Sequence, residues 1–242
     1  MYISVFASLG AAAPTARTGQ ASGDPDVLYA AREDVTQAQR AEAIWAARLQ
    51  RDAKDFESAW KLARARYWLG GRGAQGDRKA LLETGIEAGR HAAQLEPGRP
   101  EGHFWIAANM GALAESFGLR QGLRYRGEIR DTLQRVLKIA PAFQQGSADR
   151  ALGRWYFKVP GLFGGSNKRS EEHLRRALTY GPESTISHFF LAETLLAMDR
   201  KTEAIQHLEK VLEAPLDPEW APEDREYKSK AQRLLQTLRQ RL

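Results

Sequence analysis

Apolar residues recur along most of this chain at helical spacing and seldom in strict alternation. Leu152 and Tyr156, then Leu174 and Ala177, then Leu191, Ala192 and Leu195, then Ala204, Leu208 and Val211 each fall on one helical face, and Pro182 and Pro215 stop the second and fourth of these groups. An earlier stripe runs through Val35, Ala38, Ala41, Ile44, Trp45 and Leu49, with Asp34 placed to cap it. A last one, Ala231, Leu234, Leu235 and Leu238, predicts a helix over about 223–239. Long Val/Ile/Thr runs of alternating polarity are missing, while Ala, Leu, Arg, Glu and Gln dominate after the first thirty or so residues. The pattern predicts an all-α chain.

The groups pair up. Small residues at Gly153, Ala192 and Ala204 allow two antiparallel helices to approach, and large ones such as Leu174, Tyr156 and Leu208 fill the space between them. The stretch from Gly146 to Pro215 therefore resembles two successive tetratricopeptide repeats. Taking Ala53, Pro97, Pro141, Pro182 and Pro215 as corresponding turns gives spacings of 44, 44, 41 and 33 residues. The surplus over the usual repeat of about 34 residues falls inside the helix pairs, at 70–77, 117–126 and 159–166, so three long turns should line one edge of the stack. The expected organisation is an N-terminal segment over 1–32, apolar and then disordered, followed by one solenoid over 33–242. Its repeats fall at about 57–97, 100–141, 146–182 and 185–215, and a capping helix stands at each end.

Charge and composition narrow the chemistry. There is no cysteine, which removes disulfides, thiolate metal sites, a cysteine nucleophile and a lipid-bearing cysteine. The net charge is +6, with 14 Lys/Arg against 9 Asp/Glu between Glu57 and Pro141. Arginine is interleaved with glutamate throughout, so solvated helix faces explain the excess better than nucleic-acid binding does. Arg120, Arg124, Arg126 and Arg130, grouped around Tyr125, are the exception and suit either a solvated helix end or an acidic partner. The run Gly70–Gly76 is glycine-rich but lacks the preceding strand and the Gly-Lys-Ser/Thr of a phosphate loop. In the third turn Leu162 and Phe163 sit between glycines; they tuck under their own repeat, the default, or meet a partner. Residues 1–13 are apolar, too short to span a bilayer, and offer a small-x-small site at Ala11–Ala13, so export from the cytoplasm is expected.

Catalytic motifs are missing. His91, His103, His173, His188 and His207 stand at no metal-ligand spacing, and no acid pair stands out, so neither enzymatic activity nor a cofactor or metal is expected. Recognition is the better expectation, through the first helix of each pair, which lines the concave groove of such stacks. The candidate groove residues are Lys61, Ala65 and Trp68; Phe104 and Ala108; Arg150, Arg154 and Phe157; Phe189, Glu193 and Leu196; Phe163 joins them from the third turn. Trp60, Tyr67 and Tyr156 hold core positions, while Trp105 and Trp155 fall outside the register and suit either role.

Gly153-Arg154-Trp155-Tyr156, Pro160-Gly161-Leu162-Phe163-Gly164-Gly165-Ser166-x-Lys168 and Glu172-His173-Leu174-Arg175-Arg176-Ala177-Leu178 together resemble the T component of bacterial TRAP transporters. That resemblance implies an all-helical periplasmic accessory of a solute uptake system. Such a protein would associate with a periplasmic substrate-binding protein or hold a small organic ligand. The alternative is a general cytoplasmic tetratricopeptide scaffold for protein partners.

Overall fold

The computed structural model describes residues 23–72 and 77–240, and these form eleven α-helices with no strand among them. They are α1 (Pro25–Ala30), α2 (Val35–Arg51), α3 (Phe56–Arg72), α4 (Arg78–Leu95), α5 (Pro100–Ser116), α6 (Leu119–Ile139), α7 (Phe143–Lys158), α8 (Asn167–Tyr180), α9 (Thr185–Leu196), α10 (Lys201–Glu213) and α11 (Ala221–Arg239), with a 3-10 turn at Gly161–Phe163. Residues 1–22, which include the export signal expected at Ala11–Ala13, lie outside the described part.

Local chemistry sets the helix starts. The carboxylate of Asp24 accepts from the Asp26 amide at 3.0 Å and that of Asp34 from the Thr36 amide at 2.9 Å, while Ser166 and Ser184 do the same for α8 and α9. Pro25 and Pro100 open α1 and α5, where a missing amide hydrogen costs nothing.

α3/α4, α5/α6, α7/α8 and α9/α10 are the helix pairs. Successive first helices also touch, α3 with α5, α5 with α7 and α7 with α9, whereas the second helices make no comparable contact with one another. The first helices thus form the inner, concave layer of a solenoid. Its core runs from Leu28 to Tyr156 as one cluster, and a second joins Leu174 through α9 and α10 to Ala231 and Leu235 of α11. Two of the prolines that close a pair have a histidine six residues on: the Nε2 atoms of His103 and His188 lie 3.1 and 2.8 Å from the carbonyls of Pro97 and Pro182. Each ties the start of a first helix to the turn before it.

Three expectations are corrected. The segment expected to be disordered up to residue 32 instead forms α1 from Pro25, because Leu28 and Tyr29 bury against Trp45. The surplus expected as a loop at 117–126 is helical from Leu119, where it lengthens α6 at its start; Leu, Arg and Gln favour helix, and Gly118, at φ 86°, supplies the break before it. The glycine run is also partly helical: α3 continues through Gly70 to Arg72, and residues 73–76 lie outside the described part.

Candidate protein-interaction site

Most of the groove candidates are taken up by the protein itself. Lys61 donates to Asp26 of α1 at 2.8 Å. Trp68 is 2% exposed; its Nε1 donates to the Arg32 carbonyl at 3.0 Å, and the Arg72 guanidinium lies over its ring. Phe104 is buried edge-on between Trp105 and Phe143. Arg154 joins three first helices, with Nη1 2.6 Å from Glu193 of α9 and Nε 3.1 Å from Glu115 of α5, and its guanidinium lies 4.6 Å from the Phe190 ring centre. Burial opposes its charge, yet Glu115 and Glu193 hold its pKa above the ordinary arginine value. Arg150 is buried, which lowers its pKa, and has no carboxylate within 4 Å among the described residues. Phe157 stays half-buried beside Arg154. Of the candidates outside the core positions, Trp105 and Trp155 are both buried.

The concave face is crossed by α11. This helix does more than cap the last repeat, the role its leucine stripe predicts. Its far half, with Ala231 and Leu235, closes the core of α9 and α10. Its near half lies over the groove, where Tyr227 packs against Phe189 and Phe190, with ring centres 5.3 and 5.6 Å apart, and burial raises its pKa. The helix and its connector reach the other end of the chain. Arg32, 4% exposed, pairs with Glu223 at 2.5 Å and donates to the Glu219 carbonyl at 2.7 Å; Arg72 pairs with Glu226, and Arg225 with Glu33. Thr185 donates to Asp224, and Gln145, held in the left-handed stretch within the first turn of α7, donates to Asp217 at 2.8 Å. Burial pushes the Glu223 carboxyl above the usual carboxylate range even with Arg32 against it. First and last elements are thus tied across the groove.

The turn-bearing edge is different. Ser166 donates its amide to the Tyr156 carbonyl at 2.9 Å and closes the third turn. A side chain at Gly165 would place its Cβ 1.6 Å from the Val159 carbonyl oxygen, and Gly164 has φ 104°, so the turn requires both glycines. Its tip does not tuck: Leu162 is 90% exposed, and Phe163 is half-buried beneath Arg126, whose guanidinium lies 5.6 Å from the ring centre. Phe163 and Trp155 border a cavity of about 320 Å³ with Leu123, Arg124, Arg126 and Arg130. Trp155 Nε1 is satisfied by the Arg126 carbonyl at 3.0 Å, which fixes the indole as a wall. The side chain of Arg120, grouped with these arginines in the sequence, lies outside the described part.

Among the described residues no three His, Asp or Glu side chains gather as ligands, and no helix is long and apolar enough to cross a membrane. His173 Nδ1 instead lies 2.6 Å from buried Asp149, and His188 stacks on His207.

Residues 25–163, more than half of the chain, match the family model described as regulator of microtubule dynamics protein 1-3. The chain belongs to this family. Neither the family match nor the solved structures point to the T component of TRAP transporters. Among solved structures, TTC0263, a thermophilic TPR protein in Thermus thermophilus, is 21% identical, covers 87% of this chain and 97% of its own, and superposes with a TM-score of 0.66. A crystal structure of MamA is 16% identical over 83% of this chain and 95% of its own, with a TM-score of 0.50. These likenesses show the tetratricopeptide-type solenoid fold. No curated protein matches the chain.

Proposed function

We propose that this protein is a non-enzymatic scaffold that recognises a protein partner at the edge formed by the start of α6 and the 159–166 turn, while its concave groove is kept by its own last helix. The observation that carries this reading is the contrast in occupancy. Tyr227, Glu223 and Glu226 of α11 take the groove contacts, whereas Leu162 projects from its turn 90% exposed, with nothing over it among the described residues. A solenoid fold of this kind suits partner binding.

Site-specific photo-cross-linking in the cells that make the protein tests it. A benzophenone amino acid at Leu162 is expected to capture one defined protein, and the same probe at exposed Gln134 on α6 is not. Equal capture from both positions, or none from 162, overturns the edge as the recognition surface.

A more specific reading takes the partner to be the substrate-binding protein of a periplasmic TRAP-type uptake system. Its support is the Pro160–Ser166 turn, the stretch that resembles the T component and also the stretch that presents Leu162. The identity of the cross-linked protein decides between that partner and a cytoplasmic one.

A further inference from the structure

The cavity between α6 and the third turn has a composition found nowhere else among the described cavities. Three arginines, Arg124, Arg126 and Arg130, stand around two aromatic walls, Trp155 and Phe163, and no carboxylate lines the space. Arg126 gives one Nη1 hydrogen bond to the Leu123 carbonyl at 3.2 Å, one turn back along its own helix, and lies over the Phe163 ring. Arg124 stacks on Tyr125 and, among the described residues, has no carboxylate within 4 Å, although it also borders the neighbouring depression that contains Glu83, Glu87 and Glu128. Arg130 meets only Asp131, the next residue, across exposed side chains, a pairing worth little in water. Several charges of one sign around a shallow aromatic hollow create a field that attracts anions and offer a planar, weakly hydrated face beside it.

From this we infer that the cavity is a docking site for an acidic peptide segment of the partner that carries one aromatic anchor. The inference rests on the scaffold reading above and names the chemistry of the partner. The aromatic side chain enters the hollow of about 320 Å³ that Trp155 and Phe163 line, and Leu162 extends the apolar contact beyond it. The flanking carboxylates of the peptide meet Arg124, Arg126 and Arg130, whose planar guanidinium groups bind carboxylates in a bidentate manner. Two aromatic walls argue against a bare phosphate, and one short hollow argues against a continuous track for a nucleic-acid strand.

The test uses the full chain and fluorescence polarisation of a labelled peptide of about twelve residues, acidic throughout with one central phenylalanine. Three results are expected. The peptide binds; replacing its phenylalanine by alanine weakens it by about tenfold; and Arg124→Glu with Arg126→Glu weakens the parent peptide by more than about tenfold. Phe163→Ala should reproduce the peptide's own loss, since it removes the facing wall. Unchanged affinity in the arginine double variant overturns the inference outright, because the peptide then binds elsewhere; equal binding by the alanine peptide and by a single-stranded RNA of matched charge overturns it in favour of a plain polyanion surface. A cross-linked partner at Leu162 with no binding by any acidic peptide leaves the scaffold reading standing and removes this inference alone.

Discussion

The concave face and the turn-bearing edge use the same residue type to opposite ends. On the concave face Arg32, Arg72 and Arg154 each meet carboxylates from distant parts of the chain, Glu223, Glu226, and Glu115 with Glu193. On the edge, among the described residues, Arg124 and Arg126 meet only an aromatic ring or a local carbonyl, and Arg130 only its neighbour. Of the first kind, Arg32–Glu223 is the most deeply placed pair and holds geometry most firmly, because removing one partner there strands a charge away from water, whereas Arg72–Glu226 is half-exposed. Arginines of the second kind contribute little to folding, so they remain available for recognition. Position in the fold separates these roles, and residue type does not.

The sharpest way to break the comparison is at the tie between the chain's two ends. Arg32→Ala leaves the mostly buried Glu223 carboxylate without its partner, and should cost about 3 kcal/mol in denaturant unfolding. Adding Glu223→Ala should recover most of that loss, since the stranded charge goes with it. A loss below about 1 kcal/mol for Arg32→Ala would mean that α11 rides loosely over the groove.

The helix pairing is readable in the chain because both signals behind it are local: apolar residues at helical spacing, and prolines that stop α8 and α10. The crossing of α11 is not. It rests on Arg32 with Glu223 and Arg72 with Glu226, pairs that join opposite ends of an arginine- and glutamate-rich chain, and nothing in linear spacing singles those two out of many. The connector also gives no sign that Asp217 will meet Gln145. Two further local signals point to features that spacing alone misses. The helix formers after Gly118 outweigh the turn suggested by that glycine. A Pro-x5-His-Phe pattern occurs at Pro97–Phe104 and again at Pro182–Phe189, and it marks the histidine that locks each turn. The exposed tip at Leu162 is half legible: the glycines announce a fixed turn, but which way its apolar residues point depends on what α6 places beside them.

A second break is set by pH inside the stack. His188 Nε2 donates to the Pro182 carbonyl, so in the neutral pair its Nδ1 accepts from His207 Nδ1, 2.8 Å away. Burial, together with neighbouring His188, pushes the pKa of His207 down to about 4, and burial lowers that of His188 as well. The unfolded chain therefore binds more protons than the folded one below the ordinary histidine pKa of about 6.5. Stability should be fully present above that pH and fall as pH drops from there toward 4, as followed by thermal unfolding. His207→Asn keeps a donor for His188 and removes the titration of residue 207 while that of His188 stays, so its stability should change less over the same range; an equal slope in the variant would place the acid sensitivity elsewhere.

The smallest effect on folding is expected at the edge, and it sharpens the comparison because the same chemical change has opposite weight on the two faces. Arg124→Glu with Arg126→Glu removes no ion pair found among the described residues and should shift stability by no more than about 0.5 kcal/mol. Arg154→Glu sets a carboxylate against Glu115 and Glu193 in a mostly buried site and should cost at least about 3 kcal/mol. Phe163→Ala belongs with the first, since the backbone bonds of Ser166 to Tyr156 and of Phe163 to Pro160, rather than its ring, hold the turn. If the edge variants unfold as early as Arg154→Glu does, then Arg124, Arg126 and Phe163 are part of the frame, and the recognition surface must be sought elsewhere.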